Sequence, residues 1–223
     1  MNSVFIVGGS GKIARRLAQQ LVERGHHVRS LHRHAEQAEA LNALGASPAA
    51  GDLLKLDAKA LATLMDGSDT VVFAAGAGGK GGAQMTNAID GRGLELSVAA
   101  AQFAGIKRFI LVSAFPEASR GKTISETFEN YMAVKKAADV HLAATTLDWV
   151  ILRPGTLVDS AGTGKVQAGL AIAYGDVPRD DVAAALLQII EKPAVNRVII
   201  ELTQGETPVD QAIQAIARDC PQA

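Results

Sequence analysis

The sequence has little of several features that would place it in a specialised class of protein. It contains a single cysteine, Cys220, so no disulfide can form within the chain. Apolar residues make up 48% and charged residues 20%, which excludes an intrinsically disordered chain. No apolar run reaches the length of about 18 residues that a membrane-spanning helix needs.

An excess of one charge and a targeting segment are also lacking. Lys and Arg number 22 against 23 Asp and Glu, a net charge of −1, which gives no general attraction to nucleic acid or to an anionic membrane. The first residues, MNSVFIVGG, lack the basic region and the long apolar stretch of a signal peptide. We therefore expect a cytoplasmic monomer or weak homodimer whose partner is a small molecule rather than nucleic acid or a membrane.

The period of the apolar pattern switches repeatedly along the chain. Short apolar runs such as Ser3–Val7 and Lys107–Val112 are typical of buried strands. Between such runs apolar residues recur every three or four positions, as at Ile13, Leu17 and Leu21, which indicates helices. Strands that alternate with helices predict an α/β fold with a three-layer, doubly wound parallel sheet.

The chain shows no repeat, low-complexity segment or proline-rich linker that would divide it. Its length suits one domain over residues 1–223. The least regular part is the segment 156–178, which we expect to form a small cap on the substrate side of the sheet.

The sharpest local signal is a glycine-rich loop between the first strand and the first helix. Gly8-Gly9-Ser10-Gly11-Lys12-Ile13-Ala14 reads G-x-x-G-x-x-A. This pattern permits a tight turn, a close approach of a pyrophosphate and packing of the helix on the strand, and the helix N-terminus offers free N–H groups to phosphate. The alternative is a simple structural turn. The pattern predicts dinucleotide binding, with candidate residues Gly8, Ser10, Gly11, Lys12 and Ile13.

The end of the second strand indicates which dinucleotide binds. A carboxylate there would bind the ribose 2′-hydroxyl of NAD, but the sequence has Leu31-His32-Arg33-His34. The guanidinium of Arg33 suits a 2′-phosphate, which favours NADP over NAD. The alternative is that Arg33 is a solvated surface charge. Nearby histidines suggest a metal, but no cysteine and few carboxylates accompany them, so we expect none.

Several further motifs occur in an order that resembles a known family. They include Gly51-Asp52-Leu53, Val72-Phe73-Ala74-Ala75-Gly76, Lys107-Arg108-Phe109-Ile110-Leu111-Val112-Ser113, Tyr131-Met132-Ala133-Val134-Lys135 and Leu152-Arg153-Pro154-Gly155. Over nearly its whole length the chain resembles the atypical short-chain dehydrogenase/reductases, especially small bacterial NAD(P)-binding proteins named epimerase/dehydratases. These proteins are related to the NmrA-like and biliverdin/flavin reductase B-like groups.

The resemblance implies a Rossmann fold and roles for particular residues. Asp52 and Leu53 would border the adenine. The middle of the cofactor would be lined by Ala74, Ala75 and Gly76, and the nicotinamide would lie near Pro154, Gly155 and Leu157. For the apolar members, core packing is the alternative.

Tyr131 and Lys135 are the candidate catalytic pair. They are four residues apart on a predicted helix, so their side chains share one face. A cation beside a phenol favours the phenolate, so we expect Lys135 to lower the pKa of Tyr131. Such a tyrosine can exchange a proton with a carbonyl or an alcohol, and Lys135 could also hold the nicotinamide ribose of the cofactor. The alternative is a surface pair.

The serine expected beside this pair is in doubt. The family commonly ends its fifth strand in Val-Ser-Ser and uses the second serine, whereas this chain has Val112-Ser113-Ala114. Consecutive strand residues face opposite sides, so only Ser113 or Ala114 can face the cofactor. Both possibilities stay open, and Ser113 is the candidate catalytic residue.

Together these features predict an NADP-dependent reductase of a small carbonyl, quinone or flavin-like acceptor. One alternative is a redox sensor or regulator that binds NADP(H) without turnover, as NmrA-like relatives do. A nucleotide-sugar epimerase is a third possibility, weakened because full-length epimerases carry a larger C-terminal substrate region.

Overall fold

The computed structural model describes residues 1–119, residue 121 and residues 123–219, a range that does not include Cys220. The strands are β1 (Ser3–Val7), β2 (His27–His32), β3 (Ser47–Ala50), β4 (Thr70–Phe73), β5 (Arg108–Val112), β6 (Asp148–Pro154), β7 (Thr156–Val158), β8 (Lys165–Gly169), β9 (Asp176–Pro178), β10 (Val198–Gln204) and β11 (Thr207–Pro208). The helices are α1 (Lys12–Glu23), α2 (Glu36–Ala43), α3 (Ala58–Met65), α4 (Gly82–Thr86), α5 (Gly93–Phe103), α6 (Glu126–Ala143), α7 (Arg179–Glu191) and α8 (Val209–Asp219). A π-helical segment, Asn87–Arg92, joins α4 to α5.

Nine of the strands form one sheet in the order β11-β8-β10-β6-β5-β4-β1-β2-β3. Neighbouring strands from β3 through β10 are parallel. Since β1 lies between β2 and β4, the chain winds toward one edge first and then toward the other. This is the predicted doubly wound sheet, and its strand order is that of the Rossmann fold.

The strand β1 shows why the fold has three layers. Val4, Phe5, Ile6 and Val7 are all 0% exposed, so both faces of this strand are covered. Val4 and Ile6 pack in a core with apolar residues of α1, α7 and α8. Phe5 and Val7 pack in a second core with α3, α5 and α6. The helices therefore cover the two faces of one sheet.

The segment 156–178 differs from the expected cap. Its strand β8 joins the main sheet, antiparallel to β10, through pairs such as Leu202 with Ala168. An antiparallel edge strand needs no crossover helix beside it. The alternation of strand and helix patterns along the sequence therefore did not predict β8. The strands β7 and β9 pair with each other in a separate two-stranded sheet.

The main sheet ends on β3 at one side and on β11 at the other. Each of these outer strands contains a proline, Pro48 in β3 and Pro208 in β11. Among the described helices, none combines the length and the apolar character needed to cross a membrane.

Candidate functional site

Two adjoining pockets lie where the loops after β1 and β4 meet. The first pocket, of about 660 Å³, is lined by residues that include Ser113, Tyr131 and Lys135. The second pocket, of about 630 Å³, is lined by residues that include Gly8 and Arg33. Both are bordered by Gly11, Lys12, Ala74, Ala75, Gly76, Ala77 and Gly78, so they form one continuous groove. The groove lies at the switch point of the sheet, where ligands of doubly wound folds bind.

The glycine-rich loop reaches this groove because two of its positions have no side chain. Gly8 has φ +83°, and a Cβ there would lie 2.5 Å from the Cα of Ala75. Gly11 precedes α1, its N–H donates a 2.9 Å hydrogen bond to the carbonyl of Gly8, and a Cβ there would lie 3.2 Å from that oxygen. The loop therefore packs directly on the end of β4 and leaves the first turn of α1 beside the groove.

The chemistry of this loop fits the diphosphate of a dinucleotide. The first N–H groups of a helix have no partner within the helix, and the first turn of α1 carries no acidic residue. The hydroxyl of Ser10, which borders the second pocket, is buried without a hydrogen-bond partner among the described residues. An anionic oxygen would satisfy these donors.

The second pocket is also lined by Arg33, Asp52 and Leu53, the residues that we expect on the adenosine side of the cofactor. Arg33 Nε lies 2.9 Å from His34 Nε2, and the backbone N–H of Arg33 donates a 3.1 Å hydrogen bond to Gln37 Oε1. The Asp52 carboxylate accepts a 3.0 Å hydrogen bond from the backbone of Leu54. In the part of the chain that the structure describes, no three His, Cys, Asp or Glu side chains converge to hold a metal.

Tyr131 and Lys135 border the first pocket from α6. The Lys135 side chain is buried, and its Nζ donates a 2.9 Å hydrogen bond to the carbonyl of Val112 at the end of β5. Nζ also lies 3.9 Å from Oδ1 of Asp90. Burial lowers the pKa of Lys135, whereas Asp90 and Asp139 oppose this by raising it.

The pKa of Tyr131 differs from the sequence expectation. We expected Lys135 to lower it, but burial, together with the nearby carboxylates of Asp90 and Asp139, raises the pKa of Tyr131 to about 12. Burial disfavours the charged phenolate, and two negative charges add to that effect. Tyr131 is consequently protonated at neutral pH.

The structure also decides which residue at the end of β5 borders the groove. Ser113 lines the first pocket, and Ala114 is not among its lining residues. The backbone N–H of Ser113 donates a 2.7 Å hydrogen bond to the carbonyl of Leu152, which continues the pairing of β5 with β6. The Ser113 hydroxyl is buried and lies beside the carboxylate of Asp139.

Asp139 and Arg153 form a pair beside the site that the sequence analysis missed. Arg153 Nε donates a 2.9 Å hydrogen bond to Oδ2 of Asp139, which is 5% exposed. Burial raises the pKa of Asp139, while Ser113 and Arg153 lower it. A signal was present, because Asp139 is four residues after Lys135 and eight after Tyr131, on the same helix face.

Two predicted nicotinamide neighbours are not brought to the groove. Pro154 and Gly155 line neither pocket, whereas Leu157 lines the first. Pro154 is paired with Leu202 of β10, and the N–H of Gly155 donates a 2.9 Å hydrogen bond to the carbonyl of Leu202. A Cβ on Gly155 would lie 1.9 Å from the carbonyl oxygen of Gly175, so this glycine serves backbone packing.

Each residue from position 76 to position 82, in the loop after β4, borders at least one of the two pockets. Residues 76–79 and Gly82 line the first pocket, and residues 76–78, Lys80 and Gly81 line the second. We call residues 76–82 the groove loop. Four of its glycines, at positions 78, 79, 81 and 82, have positive φ, so this path requires glycine.

Comparison with known proteins agrees with this geometry. A family model described as NAD(P)H-binding matches residues 8–193. A Bacillus subtilis (strain 168) protein named "Uncharacterized sugar epimerase YhfK" is 34% identical over 214 residues, which cover 96% of this chain and 99% of that protein. A solved structure from Bacillus halodurans, provisionally named an NAD-dependent epimerase/dehydratase, is 30% identical with a TM-score of 0.88 and covers 96% of this chain and 100% of its own. ChuY from Escherichia coli O157:H7, named an anaerobillin reductase, is 26% identical with a TM-score of 0.76 and covers 91% of this chain and 97% of its own. The chain belongs to the NAD(P)H-binding family.

Proposed function

We propose that the protein is an NADP-dependent reductase of a small carbonyl, quinone or flavin-like acceptor. The observation that carries the proposal is the first pocket, in which Ser113, Tyr131 and Lys135 border a cavity continuous with the dinucleotide-binding loop. The name of ChuY as an anaerobillin reductase adds support for reduction as the reaction class.

The cofactor supplies a hydride when it is bound. The backbone around Gly8 and Gly11 and the Ser10 hydroxyl would hold its diphosphate, and Arg33 would hold the 2′-phosphate. The absence of a carboxylate at the end of β2 supports NADP over NAD.

Tyr131 would donate the proton to the substrate oxygen. Its pKa of about 12 keeps the phenol protonated at neutral pH, which suits a proton donor better than a base. Lys135, fixed by the Val112 carbonyl, would hold positive charge close to the developing oxyanion, and Ser113 would supply a second hydrogen bond after rotation of its hydroxyl.

A regulator that binds NADP(H) without turnover is the second candidate. It is favoured by Ser113, whose hydroxyl is buried and would have to rotate before it could bind a substrate oxygen. A Synechocystis relative, 29% identical over 206 residues, is named "Photosystem II assembly factor Ycf39". That name describes assembly rather than an enzymatic reaction.

Binding and turnover separate the two candidates. Calorimetry would measure NADPH affinity, and loss of absorbance at 340 nm would measure turnover on a panel of carbonyls, quinones and flavins. Nucleotide sugars are tested separately by analysis of the sugar product, because the Bacillus subtilis relative carries the name of a sugar epimerase and epimerisation consumes no NADPH overall. Tight NADPH binding with reduction of at least one acceptor class supports the reductase. Tight binding without consumption of NADPH on any acceptor supports the regulator.

Variants test the proton donor directly. Tyr131→Phe should remove nearly all turnover and leave NADPH affinity within a few fold, since the phenol acts only as charge develops on the substrate. Tyr174→Phe is the matched control, because Tyr174 lies outside the lining of both pockets. Ser113→Ala should lower turnover, whereas Ala114→Ser should not raise it. Full activity in Tyr131→Phe would contradict the assignment and favour a flavin-like acceptor that is protonated from solvent.

The proposal also covers location and assembly. We propose a cytoplasmic protein that works as a monomer or weak homodimer on a small molecule, without nucleic acid or membrane partners. The net charge of −1 supports the part of this proposal that concerns nucleic acid and anionic membranes. Light scattering coupled to size-exclusion chromatography, over a range of protein concentrations, tests the assembly state.

A further inference from the structure

A buried carboxylate, Asp90, contacts two parts of the site that come from different segments of the chain. Its side chain is 3% exposed and lines the first pocket. Oδ2 accepts a 2.9 Å hydrogen bond from the backbone N–H of Ala77 in the groove loop. Oδ1 lies 3.9 Å from Nζ of Lys135. One carboxylate thus links the groove loop to the candidate catalytic helix.

The backbone around Asp90 allows its carboxylate to lie this close to the groove loop and to α6. Asp90 lies in the π-helical segment Asn87–Arg92, and such segments occur frequently at functional sites. A Cβ on Gly76 would lie 3.0 Å from Oδ1 of Asp90, and a Cβ on Gly91 would lie 3.3 Å from the side chain of Val134 on α6. Glycine at both positions therefore lets the carboxylate approach the loop and lets the segment approach α6.

Stability alone does not account for a buried pair of charges. Removing a carboxylate and an ammonium from water costs free energy that their attraction often fails to offset, and apolar replacements are often equally stable. The charged groups that face this cluster are Asp90, Lys135, Asp139 and, through Asp139, Arg153. Asp139 is held by Arg153, so Asp90 is the acid that faces both Lys135 and the groove loop.

We propose that Asp90 is a positioning residue that anchors the groove loop at Ala77 and holds the ammonium of Lys135 at the wall of the first pocket. Displacement of the loop would then change the charge beside Tyr131, so closure over a ligand and proton transfer would be coupled through one side chain. The part in proton transfer rests on the proposed function, whereas the two contacts of Asp90 do not.

The loop contact is tested by amide hydrogen exchange at Ala77, measured by NMR at neutral pH. Asp90→Asn keeps an acceptor oxygen, so exchange should stay slow. Asp90→Ala removes the acceptor, and exchange should become at least about tenfold faster. Asp139→Asn is the matched control, since it changes the other buried acid near Tyr131 without touching the loop. Exchange in Asp90→Ala as slow as in the parent would overturn the anchoring role.

The charge contact is tested through the phenol of Tyr131. The chain has two tyrosines, so in a Tyr174→Phe background the tyrosinate absorbance at 295 nm reports Tyr131 alone. Asp90→Asn removes a negative charge and should shift the titration at least about half a pH unit lower. A purely structural role would leave the curve unchanged, and identical curves would overturn the charge role. Circular dichroism defines the pH range over which the fold is intact.

A third variant keeps both tests usable if either of the others fails to fold. Asp90→Glu retains the charge but displaces the acceptor, so it should leave the Tyr131 titration as in the parent and speed exchange at Ala77. Parent-like exchange with a shifted titration would overturn the proposal. None of these measurements needs turnover, so an absence of reductase activity would refute the proposed function and leave the role of Asp90 standing.

Discussion

Arg33 provides the sharpest test of the cofactor assignment. It follows β2 directly and lines the second pocket, and its Nε is 2.9 Å from His34 Nε2. A hydrogen bond to a charged group contributes about 1.5–3 kcal/mol. Because Arg33 is exposed and must give up its contact with His34, we expect the lower part of that range, about 1.5–2 kcal/mol. Arg33→Ala should therefore weaken NADP binding about 10- to 30-fold.

The assay is isothermal titration calorimetry with NADPH and NADH at fixed ionic strength, because screening weakens this contact. NADH affinity should change little in Arg33→Ala, since NADH has no 2′-phosphate. The matched control is Arg29→Ala in β2, because the Arg29 guanidinium donates to the carbonyls of Leu64 and Asp66 and lines neither pocket. Equal affinities for NADPH and NADH in the parent protein would refute the reasoning.

Three further predictions concern stability. Gly8 and Gly25 have nearly the same φ, +83° and +81°, but of the two only Gly8 has backbone atoms within 4 Å of an added Cβ. Gly25→Ala should therefore lower the free energy of unfolding, measured in urea, by about 1–2 kcal/mol, and Gly8→Ala should lower it clearly more. Tyr131 has a pKa of about 12 in the folded state and of 10.0 in the unfolded chain, so its protonation stabilises the fold fully below pH 10. This contribution is lost as the pH rises from 10 through 12. Tyr131→Phe should therefore lose less stability over that pH range than Tyr174→Phe, which keeps Tyr131. Asp181 accepts hydrogen bonds from two backbone N–H groups of the loop before β8, so Asp181→Ala should lower the free energy of unfolding by about 1–3 kcal/mol, and a parent-like melting curve would count against this.

Elements of the central sheet could be predicted where the positions of apolar residues in the sequence match the buried positions of the strand or helix. β1 is covered on both faces and reads as an unbroken apolar run, while α1 buries Ala14, Leu17, Ala18 and Leu21 on one face. The strand β8 was not predictable, since only Val166 is fully buried among its five residues and its pairing depends on contact with β10. The π-helical segment reads as ordinary helix in the sequence, and its close approach to α6 at Gly91 is a tertiary contact that the apolar period does not reveal.

The candidate site was predictable where chemistry depends on local spacing. The loop after β1 and the shared face of Tyr131 and Lys135 follow from neighbours in the sequence. The predicted direction of the Tyr131 pKa shift was wrong, because this pKa depends on burial and on Asp90, which comes from another segment of the chain. The choice between Ser113 and Ala114 required the register of β5, which a strand's apolar pattern leaves uncertain by one residue.

The prolines in the two outer strands have a consequence for how copies of the chain can associate. An exposed sheet edge is a template for pairing with another strand, and a proline removes one of the N–H donors that such pairing needs. Pro48 interrupts the donor row of β3, and Pro208 does the same in β11 at the opposite end of the sheet. Extension of the sheet from one molecule into the next is therefore disfavoured where these two prolines lie.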